Sequence, residues 1–175
     1  MIIPSTRVFT AGEVETGAYL NATVTNLGNF LLGKPIGLFY STAATAVAAT
    51  TNVAIPFGFE IVDRDNGHST TVNTSRYTAQ TAGYYHIDAG LCWATTAGTY
   101  RICWLQVNGS TRVVGSLAEV NATAGGTAMT TKTNSMVYLS VGDYVELIAY
   151  SGTATALAAV LGDATAFMNV VWVSV

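Results

Sequence analysis

Two hydrophobic periods divide this chain. Over the first 35 residues the apolar positions follow a helical spacing: Leu20, Val24, Leu27 and Leu31 recur at steps of four, three and four, which puts them on one face of an α-helix. Ahead of them Thr10-Ala11-Gly12-Glu13 has the spacing of a capping box, and Gly33 and Pro35 follow the last apolar position, so the pattern predicts a helix over about 11–32. Gly12, Gly17 and Gly28 each cost up to about 1 kcal/mol relative to alanine. Such a helix is marginal alone, and its face of Val14, Leu20, Val24, Leu27 and Leu31 is expected to dock on a partner.

From Ile36 the period changes to two. Ile36 to Tyr40 and Val53 to Phe59 read as strands, with the Ala-Thr tract from Ser41 to Thr51 as a loop or irregular edge between them. Asp63-Arg64-Asp65-Asn66-Gly67 reads as a turn whose Asn-Gly tolerates positive φ. Tyr85, Ile87, Ala89, Leu91 and Trp93 alternate with Tyr84, His86, Asp88, Gly90 and Cys92, so the first set should face the core. Tyr100 to Val107 stops at Asn108-Gly109, a hairpin signal leading into Arg112 to Val120. Thr127 to Leu139, Asp143 to Tyr150 and Thr165 to Val175 complete about eight to ten strands with no helical segment among them. The pattern defines an all-β sandwich or barrel over residues 36–175, preceded by an N-terminal segment over 1–35.

The last strand is apolar on both sides. Phe167, Asn169, Val171, Val173 and Val175 lie on one face, and Met168, Val170 and Trp172 on the other are equally greasy, which is the pattern of a strand buried on both faces. Tyr144, Ile148 and Tyr150 likewise oppose Val145, Leu147 and Ala149 in the strand before it, and aromatics with polar tips suit subunit contacts. The expected subunit interface is therefore Tyr144, Ile148, Tyr150, Met168, Val170 and Trp172.

Composition supports assembly. Charged residues make up 10% of the 175 residues and apolar ones 50%, against roughly 25% charged in ordinary soluble domains. So few charges leave a single copy with more apolar surface than monomers usually show. The seven Lys and Arg are scattered and the net charge is −3, so no basic stripe exists for nucleic acid. No apolar run reaches the ~20 residues that cross a bilayer, and the opening residues lack the form of a secretory signal. Cys92 and Cys103 are expected as free buried thiols. The four sequons at Asn21, Asn73, Asn108 and Asn121 read as chance in a Thr-rich chain.

Catalytic chemistry finds no support in the residues. His68 and His86 are the only histidines, and neither stands in a metal-binding or nucleophile context. Asp63-x-Asp65-x-Gly67 resembles the start of a calcium loop, yet its twelfth position is Thr74 where a bidentate Glu is required. Glu60, Asp88, Glu119 and Glu146 are not placed in pairs by any spacing, as glycoside cleavage would need. The expectation is a non-enzymatic protein without cofactor or metal.

Gly83-x-Tyr85-x-Ile87, Leu105-Gln106-Val107-Asn108-Gly109, Leu139-Ser140-Val141-Gly142-Asp143-Tyr144-Val145-Glu146-Leu147 and a closing aromatic strand with Phe167 stand in one order. That order resembles the trimeric jelly-roll family of the complement globular head and the tumour-necrosis-factor ligands. The resemblance implies a two-sheet jelly roll of about ten strands, three copies per assembly. Phe9-Thr10-Ala11-Gly12-Glu13-Val14, with Leu20-Asn21 and Asn29-Phe30-Leu31-Leu32, looks like the start of structural proteins of tailed bacteriophages. That second resemblance implies a virion protein on the particle exterior, assembled in the host cytoplasm and attached to other tail or capsid proteins through its N-terminal segment. Capsid decoration is one alternative to a tail position. A lectin-like adhesin is another, with Tyr84, Tyr100 and Trp104 as the platform for a host cell-surface glycan. A tail-associated depolymerase has no residue in its favour.

Overall fold

The computed structural model describes residues 10–13, 16–94, 98–121, 129–156 and 165–175. Val14, expected on the docking face, and Thr127, expected to open a strand, lie outside the described residues.

The helix α1 runs Gly17–Leu32, so it starts later than the capping box suggests. Thr10 and Glu13 do meet, with the Thr10 N–H donating to Glu13 Oε2 at 3.2 Å, but they close a separate turn in which Gly12 holds φ +86°. That left-handed residue directs the chain off the helical path. Thr16 caps the helix instead, its hydroxyl accepting from the Tyr19 N–H at 3.3 Å.

Thirteen strands follow among the described residues, four of them two residues long: β1 (Ile36–Tyr40), β2 (Ala46–Val47), β3 (Val53–Ala54), β4 (Phe59–Asp63), β5 (Arg76–Thr78), β6 (Gly83–Trp93), β7 (Tyr100–Val107), β8 (Thr111–Arg112), β9 (Ala118–Asn121), β10 (Met129–Leu139), β11 (Tyr144–Ser151), β12 (Thr155–Ala156) and β13 (Phe167–Ser174). Antiparallel pairing builds a five-stranded sheet in the order β10-β6-β13-β1-β4. The second sheet has the order β3-β11-β7-β8, with β5 also on β11 and β9 also on β7. The short β2, inside the Ala-Thr tract, pairs with β12.

Two expected strands are divided. Val53 to Phe59 splits at Pro56, which has no N–H for a ladder: β3 pairs with β11 in one sheet, and β4 pairs with β1 in the other. Arg112 to Val120 breaks at Gly115, held at φ +79°. The buried Ser116 that follows accepts from the Leu105 N–H at 3.1 Å and donates to the Val113 carbonyl at 2.7 Å, so the bend is sewn to β7.

The core lies between the sheets. Tyr85, Ile87, Ala89, Leu91 and Trp93 all point into it, as the alternation predicts, and meet Leu105, Val145, Leu147 and Ala149 from the second sheet. Two polar devices lock the connections. The Asp143 carboxylate accepts from Asn108 Nδ2 and from the Ser140 N–H, both at 2.8 Å, which ties the β7–β8 hairpin to the β10–β11 turn. These bonds hold the Asp143 carboxyl below the usual carboxylate range.

His68 is the second device. Asp63 accepts from the Gly67 and His68 N–H groups across the Asn66 turn, where Asn66 has φ +55°. The His68 side chain is thereby carried inside with no exposed surface. Nδ1 lies 2.8 Å from Glu60 Oε1 and Nε2 lies 3.0 Å from the Thr74 carbonyl, while the ring stacks on Phe39 at 4.3 Å. A buried histidine thus clamps β4 to the loop before β5.

Candidate assembly surface

Each sheet turns one face to the core and one outward, and the outward faces differ. On the five-stranded sheet the strand registers align side chains in rows. One row holds Phe59, Tyr40, Phe167 and Lys132, with Gly90 between the last two. A Cβ at Gly90 would fall 2.6 Å from the Phe167 ring, so the glycine gives that ring its place on the sheet. The next row is polar, with Asn169, Asp88 and Asn134 beside Leu38. The third holds Ile36, Val171, His86 and Met136, and beyond it Tyr84 meets Tyr138 edge to face at 5.3 Å. Phe59, Ile61, Tyr84, Met136, Tyr138, Val171 and Val173 are all exposed large apolar residues of this sheet. They fall in two groups on either side of the polar row, and monomers seldom leave so many large apolar side chains bare on one sheet face.

The outward face of the six-stranded sheet is satisfied within its own chain. Arg76 lies 4.0 Å over the Tyr144 ring and pairs with Glu146 at 3.2 Å, while Ser75 donates to the same Glu146 oxygen at 2.7 Å. Tyr100 stacks on Tyr150 with their planes 10° apart, Trp104 lies beside Tyr150, and Arg112 covers Trp104 at 4.8 Å. Among the described residues of this face, Tyr100 is the one large apolar side chain left exposed, at 37%.

These faces correct the residues expected at the subunit interface. Met168, Val170 and Trp172 are 0%, 0% and 3% exposed in the single chain. They point into its own core, because β13 registers Val170 on Ile87 and Trp172 on Tyr85, both core positions of β6. The other face of β13, with Phe167, Asn169, Val171 and Val173, is the outward one. Tyr144, Ile148 and Tyr150 do face outward, but on the opposite sheet, where neighbours from the same chain cover them. The six residues do not form one surface.

The proposed glycan platform is divided in the same way. Tyr84 belongs to the five-stranded face, whereas Tyr100 and Trp104 belong to the six-stranded face and come together there with Tyr150. Trp104 is 5% exposed, and the Tyr100 and Tyr150 ring faces are turned on each other. One face of each of these two rings is therefore taken up by the other.

Leu20, Val24, Leu27 and Leu31 all stay exposed on α1, which has no buried residue. The helix touches the sandwich through Phe30, whose ring meets Trp172 edge on at 5.6 Å, and through the Leu32 carbonyl, which accepts from Arg64 Nη1 at 2.8 Å. Cys92 and Cys103 are free and buried, and burial raises the Cys103 thiol pKa. Among the described residues no three His, Cys, Asp or Glu side chains gather as a metal site, and no helix is long and apolar enough to cross a membrane.

No protein-family model matches the chain, and no curated protein matches it. Solved structures do. The globular domain of zebrafish complement 1qA protein superposes with a TM-score of 0.60 at 14% identity, covering 80% of this chain and 98% of that one. Murine APRIL at pH 5.0 gives 0.61 at 9% identity, covering 80% and 99%. Eiger TNF from S. frugiperda gives 0.60 at 8% identity, covering 81% and 94%. The chain has the two-sheet jelly-roll fold of the complement globular domain and the tumour-necrosis-factor type.

Proposed function

We propose that this protein is the homotrimeric surface module of a bacteriophage particle, assembled through the outward face of the five-stranded sheet and held to the virion through its N-terminal segment. The observation that carries the assembly is the bare apolar face itself, in a chain where charges make up 10% of residues. Three copies follow from the resemblance to the trimeric jelly-roll family, and closed symmetry lets each copy offer the same surfaces. The virion setting rests on the phage-like opening residues. Its position is tail-associated, with capsid decoration as the alternative.

Burying the five-stranded face leaves the six-stranded face as the one the particle presents. Tyr100 and Tyr150 there, bordered by the exposed Arg112, Glu119 and Asn121, would meet a saccharide of the host surface. Glycan-array binding that disappears in Tyr100→Ala supports this host contact, and silence across host-wall polysaccharides removes it.

The virion reading is tested by deleting residues 1–35 and producing particles with the truncated chain, followed by imaging with a label at the carboxyl end. The truncated protein should remain trimeric and be missing from particles. Normal incorporation would refute the attachment role.

A further inference from the structure

The face of α1 that its own chain leaves bare is regularly spaced. The steps of four, three and four from Leu20 through Val24 and Leu27 to Leu31 are those of successive d, a, d and a positions of a heptad, the seam by which parallel helices interlock. Flanking that seam are Asn21, Thr23 and Gly28, all short and uncharged, and no residue from Gly17 to Leu32 carries a charge. A like helix can approach closely without burying an ion. The remaining flank, Phe30, turns to the sandwich and meets Trp172, while the four seam residues beside it stay exposed.

Symmetry adds direction. The helix joins β1 beside the β13 end that carries the exposed Val171 and Val173, with the Trp172 N–H donating to the Pro35 carbonyl at 3.0 Å. Copies arranged about a threefold axis on that sheet face would carry their helices away from the heads in equivalent directions.

We propose that α1 is the stem of the trimer, a parallel three-helix bundle whose core is Leu20, Val24, Leu27 and Leu31 from each copy. This rests on the homotrimer reading and sharpens it: these four residues face other copies of this chain, and not a particle protein. The helix has 16 residues, so it is too short to hold three strands by itself. Val24 at an a position with Leu20 and Leu27 at d does not select three strands either. The heads set the number of copies, and the stem closes beneath them.

The test uses the full-length chain with Leu27→Cys and, as control, Thr25→Cys on the opposite side of the helix. Each is oxidised with copper–phenanthroline after light scattering has given its mass. A trimer in which Leu27→Cys yields a covalent pair of chains, and Thr25→Cys does not, is the expected result. A trimer with no cross-link at position 27, or with equal cross-linking at both positions, overturns the stem and leaves the trimeric head standing. A monomer with no cross-link overturns both.

Discussion

Removing the His68 ring should be among the most damaging single changes in this fold. His68→Ala takes away ring contacts to two acceptors, the Glu60 carboxylate and the Thr74 carbonyl; a ring with one N–H bonds one of them at a time, and the bond to the carboxylate is of the class that contributes about 1.5–3 kcal/mol. It also removes the stack on Phe39, where such ring pairs add about 0.5–1.5 kcal/mol beyond burial. The three contacts sit at 2.8, 3.0 and 4.3 Å. The expected loss is therefore roughly 2–4 kcal/mol, or about 10 °C in Tm for a chain of this size. His68→Phe separates the causes, since it restores ring volume but offers no donor to Glu60 or Thr74. Glu60 keeps some solvent access, with 31% of its side chain exposed, so this variant should recover about half of the loss. Urea unfolding read by tryptophan fluorescence at one fixed protein concentration measures both. Wild-type stability in His68→Phe would show that the ring only fills space, and a loss under about 1 kcal/mol in His68→Ala would refute the clamp altogether.

Further outcomes follow from the same contacts. Trp172→Ala should cost about 3–5 kcal/mol through the cavity it leaves, a loss visible as a lowered unfolding midpoint; a folded, wild-type-stable variant with altered mass would return Trp172 to the interface. Asp143 titrates below its ordinary range in the folded chain, so its bonds to Asn108 and Ser140 stabilise fully above the unfolded value near 3.9, and that contribution is lost as the pH falls through the lower folded value. Asp143→Asn should accordingly flatten the acid limb of a stability-versus-pH curve, and an unchanged limb would show that the two turns are not tied through this carboxylate. Gly90→Val should displace the Phe167 ring and weaken assembly more than folding, checked by comparing oligomer mass with the unfolding midpoint; a normal trimer would mean that the ring does not need its present place.

The sequence discloses most where one face of a strand is unambiguously dry. Tyr85, Ile87, Ala89, Leu91 and Trp93 are readable as core because His86 and Asp88 oppose them, and the structure agrees. In β13 both faces are apolar, so alternation cannot say which of them belongs inside. The partner strand decides it: Val170 and Trp172 stand opposite Ile87 and Tyr85, and that pairing spans some eighty residues that no local pattern connects. Tyr144, Ile148 and Tyr150 look like interface for the same reason, yet Arg76 and Tyr100 cover them from strands β5 and β7. The outward rows of the five-stranded sheet draw on β1, β4, β6, β10 and β13, so they exist only once the register is known. The helix is legible in its apolar face but not at its start, because Thr10-Ala11-Gly12-Glu13 forms its own turn around a left-handed glycine.

The central claim is that the bare face of the five-stranded sheet is covered by other copies of the same chain. Size-exclusion chromatography with light scattering at micromolar concentration tests it on the intact protein and on Val171→Asp, which places a charge in the row between Ile36 and His86. Three chains of 18.3 kDa, about 55 kDa in all, are expected for the intact protein, with a folded species of lower mass for the variant. An intact protein that elutes as a stable 18.3 kDa monomer would contradict the account.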